Sequence, residues 1–209
     1  MIKALNIYDF SKFELEEFLT SKSYPKYRTS QIWRYLYRNN IDDFEDMKNI
    51  SIDLISDLNK YFFIEKLNEM KYVISKDKST YKSLFELSDN LRIETVLMNY
   101  PSDDHRKPRK TICVSSQVGC ALGCTFCATG TLKLSRNLTH GEIFDQVFKL
   151  NQESEKNYGR SLTNIVFAPM AEQLKSISLS ANWMWPCKNE GEDARLYKAV
   201  KAVSEFSID

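Results

Sequence analysis

Three cysteines, Cys120, Cys124 and Cys127, follow one another in the spacing C-x3-C-x2-C. Three thiolates on one short loop can hold three corners of a cubane 4Fe–4S cluster and leave one iron open to a small molecule. Gly119 and Gly123 let such a loop fold where a Cβ would crowd it. Zinc is an alternative: a Cys3His site would draw on His140 or His105, although tight zinc sites more often pair two C-x2-C or C-x2-H arms. Unconnected buried thiols are a third reading. Cys113, seven residues upstream in an apolar stretch, reads by itself as a small core hydrophobe. Glu94 alternates with apolar Ile93 and Val96, and by itself reads as the solvated side of a strand.

The surroundings of the cysteines are basic. Residues 101–140 hold four of the five cysteines, with six basic and two acidic groups, whereas the whole 209-residue chain nets only +1. The run Arg106–Lys110, preceded by His105, suggests a polyanionic substrate. A solvated loop explains the same run equally simply. No stretch approaches the ~20 apolar residues of a membrane span, and the N-terminus is too charged for a signal peptide. The cysteines are therefore expected in a reducing, cytoplasmic setting as ligands or reactive thiols. With 12 Phe and 11 Tyr the chain has ample apolar surface to bury, which excludes wholesale disorder.

The elements that must position these residues change character along the chain. The first sixty residues read as helices: one after the capping box Ser11–Glu14 with Phe13, Phe18 and Leu19 as its apolar positions, one over 29–38 burying Ile32, Trp33 and Leu36, and one from Ser51 with Ile52, Ile55 and Leu58. Residues 71–75, 80–87 and 91–98 read as strands, the last two joined at Ser88–Asn90. A strand over 111–115, a helix opened by the capping box Thr139–Glu142 with the stripe Ile143, Phe144, Val147 and Leu150, and a strand over 163–168 make a βαβ unit that starts a parallel sheet. The expected fold is α/β, in three parts: residues 1–99, small and helical with a few strands; a linker at 100–110; and 111–209, an incomplete (β/α) partial barrel. Residues 173–208 show no clear pattern.

The run from Cys113 through Cys120-Ala-Leu-Gly-Cys124-Thr-Phe-Cys127 to Gly130 resembles the RlmN/Cfr class of radical S-adenosylmethionine (SAM) RNA methyltransferases. Gln31–Trp33, Arg92–Leu97, Arg136–Thr139, Gly141–Ile143 and Thr163–Phe167 continue the likeness, which covers roughly residues 1–167. The resemblance implies methylation of adenine C2 in 23S rRNA and tRNA. It implies that Cys120, Cys124 and Cys127 ligate a 4Fe–4S cluster, with SAM on the open iron, and that reductive cleavage gives a 5′-deoxyadenosyl radical. Glu94 would take the ring proton, and Cys113 would release an RNA–protein crosslink through a transient disulfide. An electron donor such as flavodoxin, a monomeric state and RNA contacts through the N-terminal region are implied as well.

The likeness stops abruptly. Where the family has Met-Gly-Met-Gly-Glu-Pro, this chain has Ala168-Pro169-Met170-Ala171-Glu172-Gln173. Ala171 and Glu172 occupy the SAM-contacting positions, but a proline and an alanine replace the two glycines, so this loop is expected to hold SAM less well. Cys187 does not match the family's methyl-carrying cysteine. Residues 111–209 suffice for about three β/α units at ~31 residues each. The sequence is accordingly expected to be truncated or altered after about residue 167 and unable to complete methylation by itself. Two other functions remain open: an RNA-binding module that keeps the cluster without catalysis, and a small zinc protein.

Overall fold

The computed structural model describes residues 4–39, 41–102, 107–120 and 127–168. They form two compact units that divide between Lys66 and Leu67. This differs from the linker expected at residues 100–110, because the strands before that point join the sheet of the second unit.

The first unit begins with β1 (Leu5–Asn6) and a 3-10 turn at Ile7–Asp9. Helix α1 (Lys12–Ser21) is opened by the expected capping box: Ser11 Oγ accepts from the Glu14 N–H at 3.1 Å and the Glu14 carboxylate accepts from the Ser11 N–H at 2.7 Å. Such a cap stabilises by about 1 kcal/mol. Leu15 and Leu19, one turn apart, are its buried residues, and Phe18 packs edge-on against Tyr61 and Phe62. Phe13, expected inside, lies in the first turn and is exposed. Helix α2 (Tyr27–Arg34) passes directly into a π-helical turn at Tyr35–Asn39, and together they bury Ile32, Trp33, Leu36 and Tyr37. A 3-10 turn at Phe44–Asp46 leads to α3 (Ile52–Tyr61), which buries Leu54 and Leu58. Ile52, also expected inside, is 84% exposed because the i, i+4 pair that faces the core starts two residues later. Strand β2 (Phe62–Phe63) closes the unit by pairing parallel to β1.

The second unit is a five-stranded sheet in the order β3 (Asn68–Ile74), β4 (Thr80–Glu86), β5 (Arg92–Tyr100), β6 (Arg109–Ser115) and β9 (Asn164–Ala168). The first three pairings are antiparallel, and β6–β9 is parallel. Between β6 and β9 come the short strands β7 (Gln117–Val118) and β8 (Arg136–Asn137) and helix α4 (His140–Tyr158). The expected βαβ crossover is therefore present, with Thr111↔Asn164 through Ser115↔Ala168 in register. Helix α4 starts at the Thr139–Glu142 capping box and ends on Gly159 at φ +64°, a left-handed position that suits glycine. Its stripe Ile143, Phe144, Val147 and Leu150 is buried as expected.

Strand alternation divides the sheet into two faces. The face covered by α4 carries Ile93, Thr95 and Leu97 of β5, Ile112 and Val114 of β6, and Ile165 and Phe167 of β9, all buried. Residues one step out of phase, among them Glu94, Val96, Cys113, Ser115 and Val166, lie on the opposite face and keep contact with solvent.

Candidate functional site

Cys113 and Glu94 lie on the same open face. Cys113 is paired with Val96 across β5 and with Val166 across β9, and Glu94 stands two residues from Val96 on β5. The two strands are further tied where Ser115 Oγ donates to the Glu94 carbonyl at 2.7 Å. The Glu94 carboxylate receives the Lys82 ammonium at 2.7 Å, both side chains about half exposed. Burial pushes the half-buried Cys113 thiol above its ordinary pKa, so it stays protonated at neutral pH. Its apolar neighbours Val96 and Val166 supply that environment, but the position is not the closed core that its β-branched surroundings in sequence suggest.

From Cys113 the chain runs two residues to the end of β6, crosses β7 and reaches Cys120. The cysteine loop is an excursion closed at its base. β7 pairs with β8 antiparallel, Gln117↔Asn137 and Val118↔Arg136, and the Ser135 and Leu138 N–H groups donate to the Val118 and Ser116 carbonyls at 2.9 Å each. Gly119 has φ +78°, and a Cβ there would stand 2.1 Å from the Lys133 carbonyl oxygen. Glycine is therefore required by the returning arm of the loop. Cys120, buried, donates its N–H to the Leu132 carbonyl at 3.3 Å; Cys127, half buried, accepts at its carbonyl from the Thr131 N–H in the turn at Thr129–Thr131. Cys124, Gly123, His105, Arg106, Ala171, Glu172 and Cys187 lie outside the described residues. Among the described residues no group of three metal-ligating side chains converges. The donor set itself suits an iron–sulfur cluster: Cys120 is tied to Leu132 on the returning arm of the loop, Cys127 is held at the turn before that arm, and Cys124 falls between them in sequence.

Two residues outside the expected set of site residues fix this loop to the sheet: Gln146, and Arg136, which opens one of the matching runs. Gln146, fully buried on α4, accepts at Oε1 from Thr95 Oγ1 (2.7 Å) and from the Ser115 N–H (2.9 Å), and donates from Nε2 to the Ser115 carbonyl (3.0 Å) and the Glu142 carbonyl (3.1 Å). Its amide thus replaces a strand partner at the residue where β6 gives way to the loop. The signal was present in sequence: Gln146, three positions after Ile143, is a polar residue on the apolar side of the helix. Arg136, on β8, forks onto both Glu142 oxygens at 2.8 and 2.9 Å and onto Asp89 at 2.6 Å in the β4–β5 turn. These two carboxylates raise its pKa further, and Arg136 in turn holds the Asp89 carboxyl below the ordinary value.

The basic run is split by the fold. Lys107 is exposed and Arg109 lies over the Tyr100 ring at 4.4 Å, but Lys110 is buried, hydrogen-bonded to Asn99 and 4.5 Å over the Tyr158 ring. Burial, then the nearby Arg160, lower its pKa. Lys110 belongs to the phase of β6 that faces α4, so it is not the exposed cation the run implied.

The family model for the ribosomal RNA large subunit methyltransferase N-terminal domain matches residues 5–64, close to the extent of the first unit. A second family model, the FGAR-AT PurM N-like domain, matches residues 136–209; its described part is β8, which pairs with β7, then α4, and β9, which pairs with β6. The chain is 38% identical to a probable dual-specificity RNA methyltransferase RlmN of Salinibacter ruber, over 77% of this chain and 43% of that protein. It is 39% identical to the dual-specificity RNA methyltransferase RlmN of Campylobacter concisus, over 83% and 46% respectively. The crystal structure of a radical SAM methyltransferase from Sphaerobacter thermophilus superposes with a TM-score of 0.72 at 39% identity, covering 90% of this chain and 53% of that one. The chain spans about half the length of the relatives it matches. Over the stretch they share, it belongs to the RlmN class of radical SAM methyltransferases.

Proposed function

We propose that this chain carries the cluster-binding and base-facing part of an RNA methyltransferase that methylates C2 of adenine in 23S rRNA and tRNA, in the cytoplasm and as a monomer. The observation that supports this reading best is the shared open face: Glu94 and Cys113 stand on neighbouring strands, and β6 runs from Cys113 straight into the pinned cysteine loop.

Cys120, Cys124 and Cys127 would hold a 4Fe–4S cluster, with Ala171 and Glu172 on the side of SAM. Such a cluster, reduced by a flavodoxin-like donor, supplies the electron for reductive cleavage of SAM. The protein's part is geometric. Gln146 and Arg136 hold the strands at the base of the cysteine loop, β6 through Ser115 and β8 through Glu142, and this supports a loop held in a set position for its thiols to act as ligands. Glu94, steadied by Lys82, would accept the proton leaving adenine C2. Cys113, kept protonated by burial, would stay inert until a crosslinked intermediate places a sulfur beside it. Its sulfur would then attack that sulfur, the bond from it to the adenine methylene would break, and the methylene carbon would take up the proton given up by the thiol, so that the methyl group is completed as the transient disulfide closes.

EPR of the anaerobically reconstituted and reduced chain tests the reading. A 4Fe–4S signal that changes on adding SAM is expected. A cluster signal indifferent to SAM would leave a cluster-bearing RNA-binding module, and bound zinc without iron would remove the reading altogether.

A further inference from the structure

The first unit contains a polar cavity of about 320 Å³ lined by Gln31, Arg34, Tyr35, Asn39 and Asn49. Positions 34 and 35 follow position 31 by three and four residues, and position 39 follows 35 by four, so α2 and the π-helical turn after it present them on one side, away from the buried Ile32, Trp33 and Leu36. The floor is already organised. Arg28 donates to the Gln31 side-chain oxygen at 2.7 Å and to the Asn49 carbonyl at 2.9 Å, Gln31 Nε2 donates to that carbonyl at 3.3 Å, and the Tyr35 hydroxyl donates to the Lys48 carbonyl. Asn49 is held at φ +70°, which turns its loop towards α2. Among the described residues, the side chains of Arg34, Asn39 and Asn49 form no hydrogen bond or ion pair, and each is exposed. A π turn is rare and recurs at functional sites, and here it contributes Tyr35 and Asn39.

A guanidinium fork, two uncommitted amides and a phenol ring around a space of this size match a nucleotide: a phosphate for Arg34, base edges for the amides, and a ring for stacking on Tyr35. We propose that this pocket binds one nucleotide of a single-stranded RNA stretch, as a second point of attachment separate from the cysteine loop and the open face. It rests on the RNA reading above.

The test is fluorescence anisotropy of the full chain with a labelled 12-nucleotide single-stranded RNA, as a function of salt. Arg34→Ala is expected to weaken binding about tenfold and to reduce the slope of log affinity against log salt by about one. Arg34→Lys should restore the slope but only part of the affinity, because a point charge replaces a fork. Asn49→Gly keeps the left-handed backbone while removing the amide, and is expected to weaken binding about threefold. Melting curves of these exposed variants should match the parent. Parent-like binding by Arg34→Ala and Asn49→Gly would overturn the pocket and leave the RNA reading standing. Absence of RNA binding by the parent chain would overturn both, whereas a SAM-responsive EPR signal tests the catalytic reading independently.

Discussion

On β5, Ile93, Thr95 and Leu97 are buried on the side that α4 covers, while Glu94 and Val96, one residue out of step, stand on the side it leaves open. β6 repeats the division, with Ile112 and Val114 against Cys113 and Ser115. The same strands thus serve two purposes through their two-residue period. The covered side holds the unit together with apolar contacts and one fully satisfied amide. The open side carries the titratable groups and contributes little to stability, so its residues are available for chemistry. Substitutions on the two faces should therefore separate stability from function.

The largest effect is expected at Gln146. Replacement by leucine leaves the buried Thr95 hydroxyl and the half-buried Ser115 N–H and carbonyl without their partner, at about 1–3 kcal/mol for a fully buried group and less for a half-buried one. Allowing for partial relaxation, Gln146→Leu should cost about 3 kcal/mol in urea unfolding and lower iron loading as the loop loses its anchor. A variant as stable as the parent would mean that the covered face tolerates a polar gap and that its order does not depend on this amide.

Arg136→Ala comes next, at about 2 kcal/mol, because Glu142 is 4% exposed and loses a charged partner while keeping its bond from the Thr139 N–H. The loss also depends on pH. Arg136 depresses the folded-state pKa of Asp89, so that part of the stabilisation is complete above the unfolded value near 3.9 and disappears as pH falls through the folded value. Chemical denaturation at a series of pH values should show the gap between parent and variant narrowing below about pH 4. A constant gap would show that the Arg136–Asp89 pair adds nothing measurable to stability.

This division of labour was partly legible in the residues. The capping boxes at Ser11 and Thr139, the βαβ order and the stripe of α4 follow from local chemistry, and the structure has them where they were expected. Phe13 and Ile52 were misplaced because several apolar residues in one short helix permit more than one buried phase, and only tertiary packing selects Leu15/Leu19 and Leu54/Leu58. The unit boundary was misjudged because the antiparallel strands β3 to β5 precede the parallel pair in sequence but join it edge to edge. At the site, the cysteine spacing was visible. The common face of Glu94 and Cys113 depends on the β5–β6 register, which no local pattern specifies. Lys110 illustrates the same point: a basic run looks uniformly solvated until strand phase assigns one of its members to the core.

The smallest effect is expected on the open face itself. Lys82 and Glu94 are about half exposed, and ion pairs of that kind contribute about 0–1 kcal/mol. Lys82→Met should therefore change stability by less than about 1 kcal/mol, and the small difference should vanish in high salt as the pair is screened. Glu94 keeps its carboxylate in this variant, so any loss of RNA methylation in a chain able to complete that reaction would report on the steadying of Glu94. A stability loss well above that bound, persisting in salt, would mean that the Lys82–Glu94 pair is part of the packing. The open face would then be a second structural surface, and the separation between the two faces of β5 would fail at the residue on which the proposed proton transfer depends.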